Sequence, residues 1–417
     1  MKPSSYRWMI LIVFMAVTTT IEIQWLSHAA VARPAEVFYA GQFNKDSLLN
    51  IDFLAMSYML FFLIMSFPAS YIIDTWGIKR ALTIGAAVSG AAAIGKAIFA
   101  DNFAGVIICQ IILALAQPFI LNAVTAVTVR WFPLSERALA AGLSVLAQYI
   151  GIIIAMIVTP MMIGTDPQLP GYGMGFQRML WIYGIASSVS SIALILLIKE
   201  HPEDFNEESI SRHSFGDGII HILKNRDSVI TLLLFLIGLG IFNAISSMTD
   251  SISENAGISD SDGLVGGLML LGGTIGAIIL PALSDRFRKR KAFLVLCLGG
   301  MFPGVAGMAF AGDMNFSQDK IYIILLVSSF ILGFFVMSAG PIGFQYAAEV
   351  SYPAPESASQ GMLLWIGQLS GMILVAGMSA ESNAHITGWL HTFPILAAIS
   401  FVLVLFLKES PAVNRQQ

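Results

Sequence analysis

"FPLSERALAAGLSVLAQYIG" occupies residues 132–151, and "YPAPESASQGMLLWIGQLSG" occupies residues 352–371. Both run aromatic, Pro, two residues, Glu, eleven residues, Gln, two residues, Gly. Pro133 and Pro353, Glu136 and Glu356, Gln148 and Gln368, and Gly151 and Gly371 are all 220 positions apart. The chain therefore writes one phrase in each half and each time ends it on a glutamine among apolar residues.

Composition sets the solvent for that phrase. The chain has 417 residues, of which 56% are hydrophobic and 12% charged, where a soluble chain carries about a quarter charged residues. The charges are clumped and leave apolar runs of roughly 20 residues, the length of a membrane-crossing helix. Only helices and closed barrels satisfy their backbone in lipid, and runs without alternation point to helices. The expected class is an all-α integral membrane protein. Cys109 and Cys297 fall in separate apolar runs and point to neither a disulfide nor a metal site. The first run, about 8–31, is too long for a signal-peptide core and reads as a retained helix.

Twelve apolar segments follow in order: 8–31, 51–73, 81–100, 103–130, 138–163, 177–198, 228–250, 264–283, 292–312, 320–349, 357–380 and 386–407. We number them helices 1–12. The polar interval 199–227, with an amphipathic helix in its second half, divides six-helix bundles at 1–198 and 228–417. Of the 22 Lys and Arg residues, only Arg33, Lys45, Lys96, Arg178 and Lys320 fall on one side. The excess on the other side marks it as cytoplasmic. Both termini are then inside, in a plasma or inner membrane.

The repeated phrase opens helices 5 and 11 on the basic side. Pro suits a first helical turn, and Glu136 and Glu356 suit the positive end of the helix dipole. Alternatively, these carboxylates and Arg137 form gating ion pairs. Twelve residues of helix rise about 18 Å, which puts Gln148 and Gln368 near the middle of the membrane. A buried amide needs partners, and Gly151 and Gly371, one turn on, allow close helix approach. The amides are either interhelical glue or paired ligand contacts at a midplane site.

A second echo, "DTWGIKR" (74–80) and "DRFRKRK" (285–291), ends helices 2 and 8. Asp74, Gly77, Lys79, Arg80, Asp285 and Arg286 either set topology by charge or lock neighbouring helices in one gate state. Glu22 lies about 21 Å along a helix starting near Trp8, and an intramembrane carboxyl is a functional candidate by default. Trp25, three residues on, shares its face. Helix 7 offers Asn243, Ser246, Ser247 and Asp250 as one polar face, or Asp250 is an outer-end residue in the interface. Gln117, Asn122, Gln345 and Glu349 are further polar groups in the spans, and Lys96 is expected to snorkel to the outer interface. The Gly/Ala runs at 85–95 and 266–276 read as packing surfaces. No Walker motif is present, so neither ATP nor another cofactor is expected. No nucleophile–base pair or metal-ligand cluster points to an enzyme.

Asp74, Gly77, Lys79 and Arg80 resemble the loop between helices 2 and 3 of the major facilitator superfamily, which also has twelve spans, a 6+6 division and a long central loop. In the second copy Arg288 stands where that pattern has Gly. "QWLSHAAVARP", "RWFPLSERALA" and "GPIGFQYAAEVSYPAPESASQGMLLWIGQLSG" resemble the feline leukaemia virus subgroup C receptor-related branch, linked to choline, ethanolamine and heme. That resemblance implies a cage of Trp25, Gln148 and Gln368 that holds a trimethylammonium by aromatic faces. It also implies a helix 7 aromatic where Asn243 stands, and a small residue where Glu22 stands. His28 alone supplies no heme-ligand pair. The expected function is alternating-access transport of a small polar cationic solute through Glu22, Trp25, Gln148, Asn243 and Gln368. It would be either proton-coupled through Glu22 or facilitative. The alternatives are an exporter of organic anions or other metabolites and a transport-inactive receptor. The expected partners are a small molecule, the lipid bilayer and protons, with no nucleic acid, and the protein is expected to be a monomer.

Overall fold

The computed structural model describes residues 5–44, 47–132, 137–201, 215–260, 263–287, 289–380 and 384–410. Among them, twelve helices are long and apolar enough to cross a membrane. They are helix 1 Tyr6–Leu26, helix 2 Ile51–Trp76, helix 3 Ile78–Ile98, helix 4 Phe103–Thr128, helix 5 Gly142–Met162 and helix 6 Phe176–Leu197. After the central interval come helix 7 Arg226–Ser247, helix 8 Leu264–Ser284, helix 9 Arg290–Asp313, helix 10 Gln318–Ser351, helix 11 Ala358–Met378 and helix 12 Ile386–Leu405. Exposed Ile12, Ile108, Leu196 and Phe406 on their outer faces have no protein to cover them, as befits a lipid-facing surface.

Local sequence explains the ends. Asn50 accepts from Phe53 N and Asn102 from Gly105 N, capping helices 2 and 4. Asn225 caps helix 7 by accepting from Asp227 N and Ser228 N. Gly77, at φ 90°, turns the chain directly from helix 2 into helix 3. Helix 4 breaks near Pro118 into Phe103–Ala116, Pro118–Leu121 and Val124–Trp131, because proline has no N–H to continue the ladder. Helix 1 stops at Leu26 rather than near 31, and a short helix, Ala32–Phe38, follows. The helix that carries span 11 runs Glu356–Met378 with Pro355 before it, so Pro353 precedes the first turn instead of sitting in it.

The glycine runs are packing surfaces. A Cβ at Gly272 or Gly276 would strike the carbonyls of Phe330 or Phe334 on helix 10, and one at Gly333 would strike the Met269 carbonyl on helix 8. In the first half, a Cβ at Gly85 would lie 2.7 Å from Phe119 Cβ. Helix Phe215–Lys224 in the central interval buries Ile222 among Ala354, Ala358 and Met362 and leaves Ile220 and Leu223 exposed. It therefore docks on the start of helix 11.

Candidate functional site

A cavity of about 110 Å³ lies between the first six helices and the last six. Glu22, Trp25, Gln148, Asn243 and Gln368 all line it, together with Tyr58, Gln117, Tyr149, Phe235, Phe242 and Phe344. It extends to Thr231, five residues into helix 7 and so about 7.5 Å from the basic end of that helix.

Helix 1 delivers its two residues through spacing. Glu22 is 5% exposed and has no cation or hydrogen-bond donor paired with it among the described residues. Tyr58 and Tyr149 stand within electrostatic reach of its carboxyl. Trp25 donates its indole N–H to the Ala55 carbonyl at 3.2 Å, which pins the ring to helix 2 and leaves its faces for packing. On the opposite wall Asn243 Nδ2 donates to Gln368 Oε1 at 3.1 Å, so Gln368 ties helix 11 to helix 7. The Gln148 amide has no such partner among the described residues. The two halves of the cavity are joined by Tyr149 Oη donating to Met337 O at 3.2 Å and Trp365 Nε1 donating to Leu63 O at 3.0 Å.

The glycines that close the repeated phrase seat the polar residues facing them. A Cβ at Gly151 would strike the Thr19 carbonyl and lie 2.8 Å from Glu22 Cβ. A Cβ at Gly371 would lie 2.7 Å from Asn243 Cβ and 3.0 Å from Met59 Sδ. Helix 5 thus meets helix 1 at Glu22 as helix 11 meets helix 7 at Asn243.

At the end opposite the basic loops an ion pair joins the two halves. Arg33 on the short helix after helix 1 donates Nε to Asp250 Oδ2 at 2.9 Å and an Nη to Oδ1 at 2.6 Å. That bond raises the guanidinium's already high pKa. Glu36, Asp52 and Glu254 stand around the pair. Nearby, a Cβ at Gly263 would lie 2.8 Å from the Met156 carbonyl of helix 5. Asp250 therefore does not continue a polar face of helix 7. That helix ends at Ser247, Asp250 lies on a separate helix Thr249–Asn255, and Ser246 and Ser247 are buried away from the cavity.

At the basic end, Glu200 accepts from Ile78 N at 3.0 Å and Lys79 N at 2.8 Å and pairs with Arg130 at the end of helix 4. A Cβ at Gly77 would collide with that carboxylate. Asp74, Lys79, Arg80 and Arg286 are exposed at the helix ends. Arg137, Asp285 and Glu356 lie on helical backbone, but their side chains are outside the described set, and Glu136 lies outside the described residues. In the second half Glu409 accepts from Lys291 N at 3.1 Å, and Arg290 pairs with Glu349 at 3.6 Å. Asn122 donates to Ser66 and Ser70 and is helix-to-helix glue.

The sequence profile of the Major Facilitator Superfamily matches residues 8–375 and 230–417. The chain belongs to the Major Facilitator Superfamily. It is thus a multi-pass membrane transporter and not an enzyme. It is 28% identical to solute carrier family 49 member A3 of Xenopus tropicalis over 88% of this chain and 76% of that protein. It is 24% identical to the choline/ethanolamine transporter FLVCR2 of Rattus norvegicus over 98% of this chain and 75% of that one. A bacterial homologue of the human lysosomal transporter Spinster, solved inward-facing and unoccupied, shares the fold at a TM-score of 0.62. It is 13% identical and aligns over 97% of this chain and 96% of that chain.

Three features of this superfamily member escape the sequence reading. Glu200 and Glu409 are acidic caps for helices 3 and 9, and their signal is a third echo, "KEHP" at 199–202 and "KESP" at 408–411. Helix 7 does bring aromatics to the cavity, at Phe235 and Phe242 rather than at position 243. Lys96 does not snorkel: it is 0% exposed, and its Nζ donates to Gln110 Oε1 at 2.6 Å, Gln24 Oε1 at 3.3 Å and Gln24 O at 3.4 Å. Those oxygens satisfy the ammonium inside the protein, so it has no need to reach the interface.

Proposed function

We propose that this transporter carries a small organic cation by alternating access, with Glu22 as the charge-recognition residue. The observation that carries the reading is a buried carboxyl without a counter-ion in a cavity walled by Trp25, Tyr58 and Phe242. A low-dielectric site leaves an unpaired charge costly, and a bound cation supplies the missing partner. Aromatic faces add cation–π attraction. The carboxylates around Arg33 outnumber it and favour cations at that mouth. Relatives whose names state choline/ethanolamine transport agree with such a cargo.

In this reading the bodies 1–198 and 228–417 rock about the cavity, with the basic end cytoplasmic. Gln148, Asn243 and Gln368 orient the polar part of the solute. Arg33–Asp250 closes the outer side. At the inner side Asp74, Gly77, Lys79, Arg80, Glu136, Arg137, Asp285, Arg286 and Glu356 form the gate region. Glu22 exchanges its proton for the cation, which would couple the two flows in a protein acting as a monomer.

The test is uptake of labelled choline and ethanolamine into proteoliposomes, with and without a proton gradient, for the wild type and Glu22→Gln. The expected result is saturable uptake that falls at least about thirtyfold in the variant, since losing one partner of a buried charge pair costs about 2 kcal/mol or more. Equal uptake by the two proteins would remove Glu22 from recognition.

A further inference from the structure

We infer that the cavity prefers an organic cation bearing N–H donors, a protonated primary or secondary amine, over a quaternary ammonium, and that Tyr58 with Glu22 sets this preference. The inference rests on the cation-transport reading above and narrows it. Three acceptor-bearing side chains line the cavity with no donor paired to them among the described residues: the Glu22 carboxyl, the Tyr58 hydroxyl and the Gln148 amide. Tyr58 is 2% exposed and its hydroxyl oxygen is fully buried without a partner.

The ring does not owe its place to that hydroxyl. The Tyr58 carbonyl accepts from Gln117 Nε2 at 2.7 Å, which fixes this stretch of helix 2 against helix 4. The phenol is therefore held in the cavity wall by backbone while its polar tip goes unused. A buried polar atom left unpaired bears its full desolvation penalty, and such atoms in native proteins call for an explanation. A ligand that donates to this hydroxyl is one.

The chemistry of the two cation classes then separates them. An ammonium presents up to three N–H donors, and Glu22, Tyr58 and Gln148 all offer oxygens to accept them. A trimethylammonium presents methyl groups only. It suits a cage of aromatic faces, but here it would offer the carboxyl and the phenol no hydrogen bond. Sites built around a substrate hydrogen bond reject analogues that lack it far more strongly than apolar pockets reject an extra methyl.

The experiment uses the full chain in proteoliposomes and a series with one hydroxyethyl tail: ethanolamine, its N-methyl and N,N-dimethyl derivatives, and choline. Binding is read by calorimetry, and uptake by competition against labelled ethanolamine. Affinity is expected to fall along the series, with choline at least about tenfold weaker than ethanolamine, the loss of one hydrogen bond to a charged group. Tyr58→Phe should compress that ratio to less than about threefold, and Glu22→Gln should compress it as well. Choline binding as tightly as ethanolamine to the wild type would overturn the inference and leave cation transport standing. So would a ratio unchanged by Tyr58→Phe in protein whose thermal unfolding matches the wild type. No binding of any of the four amines to folded protein would overturn the cation reading itself, and this inference with it.

Discussion

Asp250→Asn tests whether the Arg33–Asp250 pair is a latch. The two side chains form a bidentate contact and are 31% and 14% exposed. Unit charges about 4 Å apart attract by about 4 kcal/mol at an effective dielectric of 20. Desolvation, side-chain ordering and partial exposure offset most of that, leaving about 1–2 kcal/mol. Glu254 remains near Arg33 in the variant and recovers part of the loss, so the lower half of that range applies. If the pair exists only in the state closed at this end, its removal raises the open population about fivefold. Spin labels at Val37 and Asp319, both exposed at this end on opposite halves of the chain, report the separation as a distance distribution. The long-distance fraction should rise in Asp250→Asn, and 1 M salt should reproduce part of that rise in the wild type. Arg33→Gln combined with Asp250→Asn should do no more than Arg33→Gln alone, because that substitution already removes the pair. A fraction unchanged within twofold, or full additivity of the two substitutions, would refute the latch.

Two further outcomes concern packing. Gly151→Ala should lower the thermal unfolding temperature, because its Cβ meets the Thr19 carbonyl, and overpacking costs about 1–3 kcal/mol against about 1 kcal/mol of helix propensity gained. Gly142→Ala, with open space around its Cβ, should hold or raise that temperature, and the same response at both positions would discard the close-approach argument. Lys96→Met should destabilise by about 2 kcal/mol or more, since unpaired buried acceptors on Gln24 and Gln110 cost about 1–3 kcal/mol each. Unfolding at the wild-type temperature would show that this network contributes no net stability.

The fold was legible because lipid allows few solutions: length, apolar runs and clumped charge together admit only a helical bundle, and the 220-residue echo gives its internal symmetry. The cavity wall was legible through polar residues that are costly in lipid, since Glu22, Gln148, Asn243 and Gln368 have no cheap reason to be there. Phe235 and Phe242 were not, because an aromatic in an apolar helix carries no mark of which side it faces. Lys96 was misread for the opposite reason. A lysine near a helix end has an inexpensive exit to the interface, and nothing local announces that Gln24 on helix 1 and Gln110 on helix 4 accept its hydrogen bonds. The bend that carries Asp250 off helix 7 has no proline or glycine to mark it; the chain turns at Met248 and starts a new helix at Thr249.

The two halves are alike in backbone and unlike in chemistry, and the difference falls at the centre of the cavity. Gly151 and Gly371 are matched members of the repeat, and each packs against the first helix of its own half: Gly151 against Thr19 and Glu22 on helix 1, Gly371 against Asn243 on helix 7. The same packing geometry thus presents a carboxyl from one side and an amide from the other. The amide is already bonded to Gln368, while the carboxyl has no partner among the described residues. A symmetric cavity would accept a small cation in either of two orientations. On the proposed cation reading, the charged end would turn toward helix 1, where Glu22, Trp25 and Tyr58 line the cavity, and the Asn243–Gln368 pair would meet a neutral polar tail. On that proposal, orientation would follow from the difference between Glu22 and Asn243, which meet the two repeat glycines in the same way. Exchanging the residues, Glu22→Asn with Asn243→Glu, should reverse the bound ligand while keeping both helix contacts.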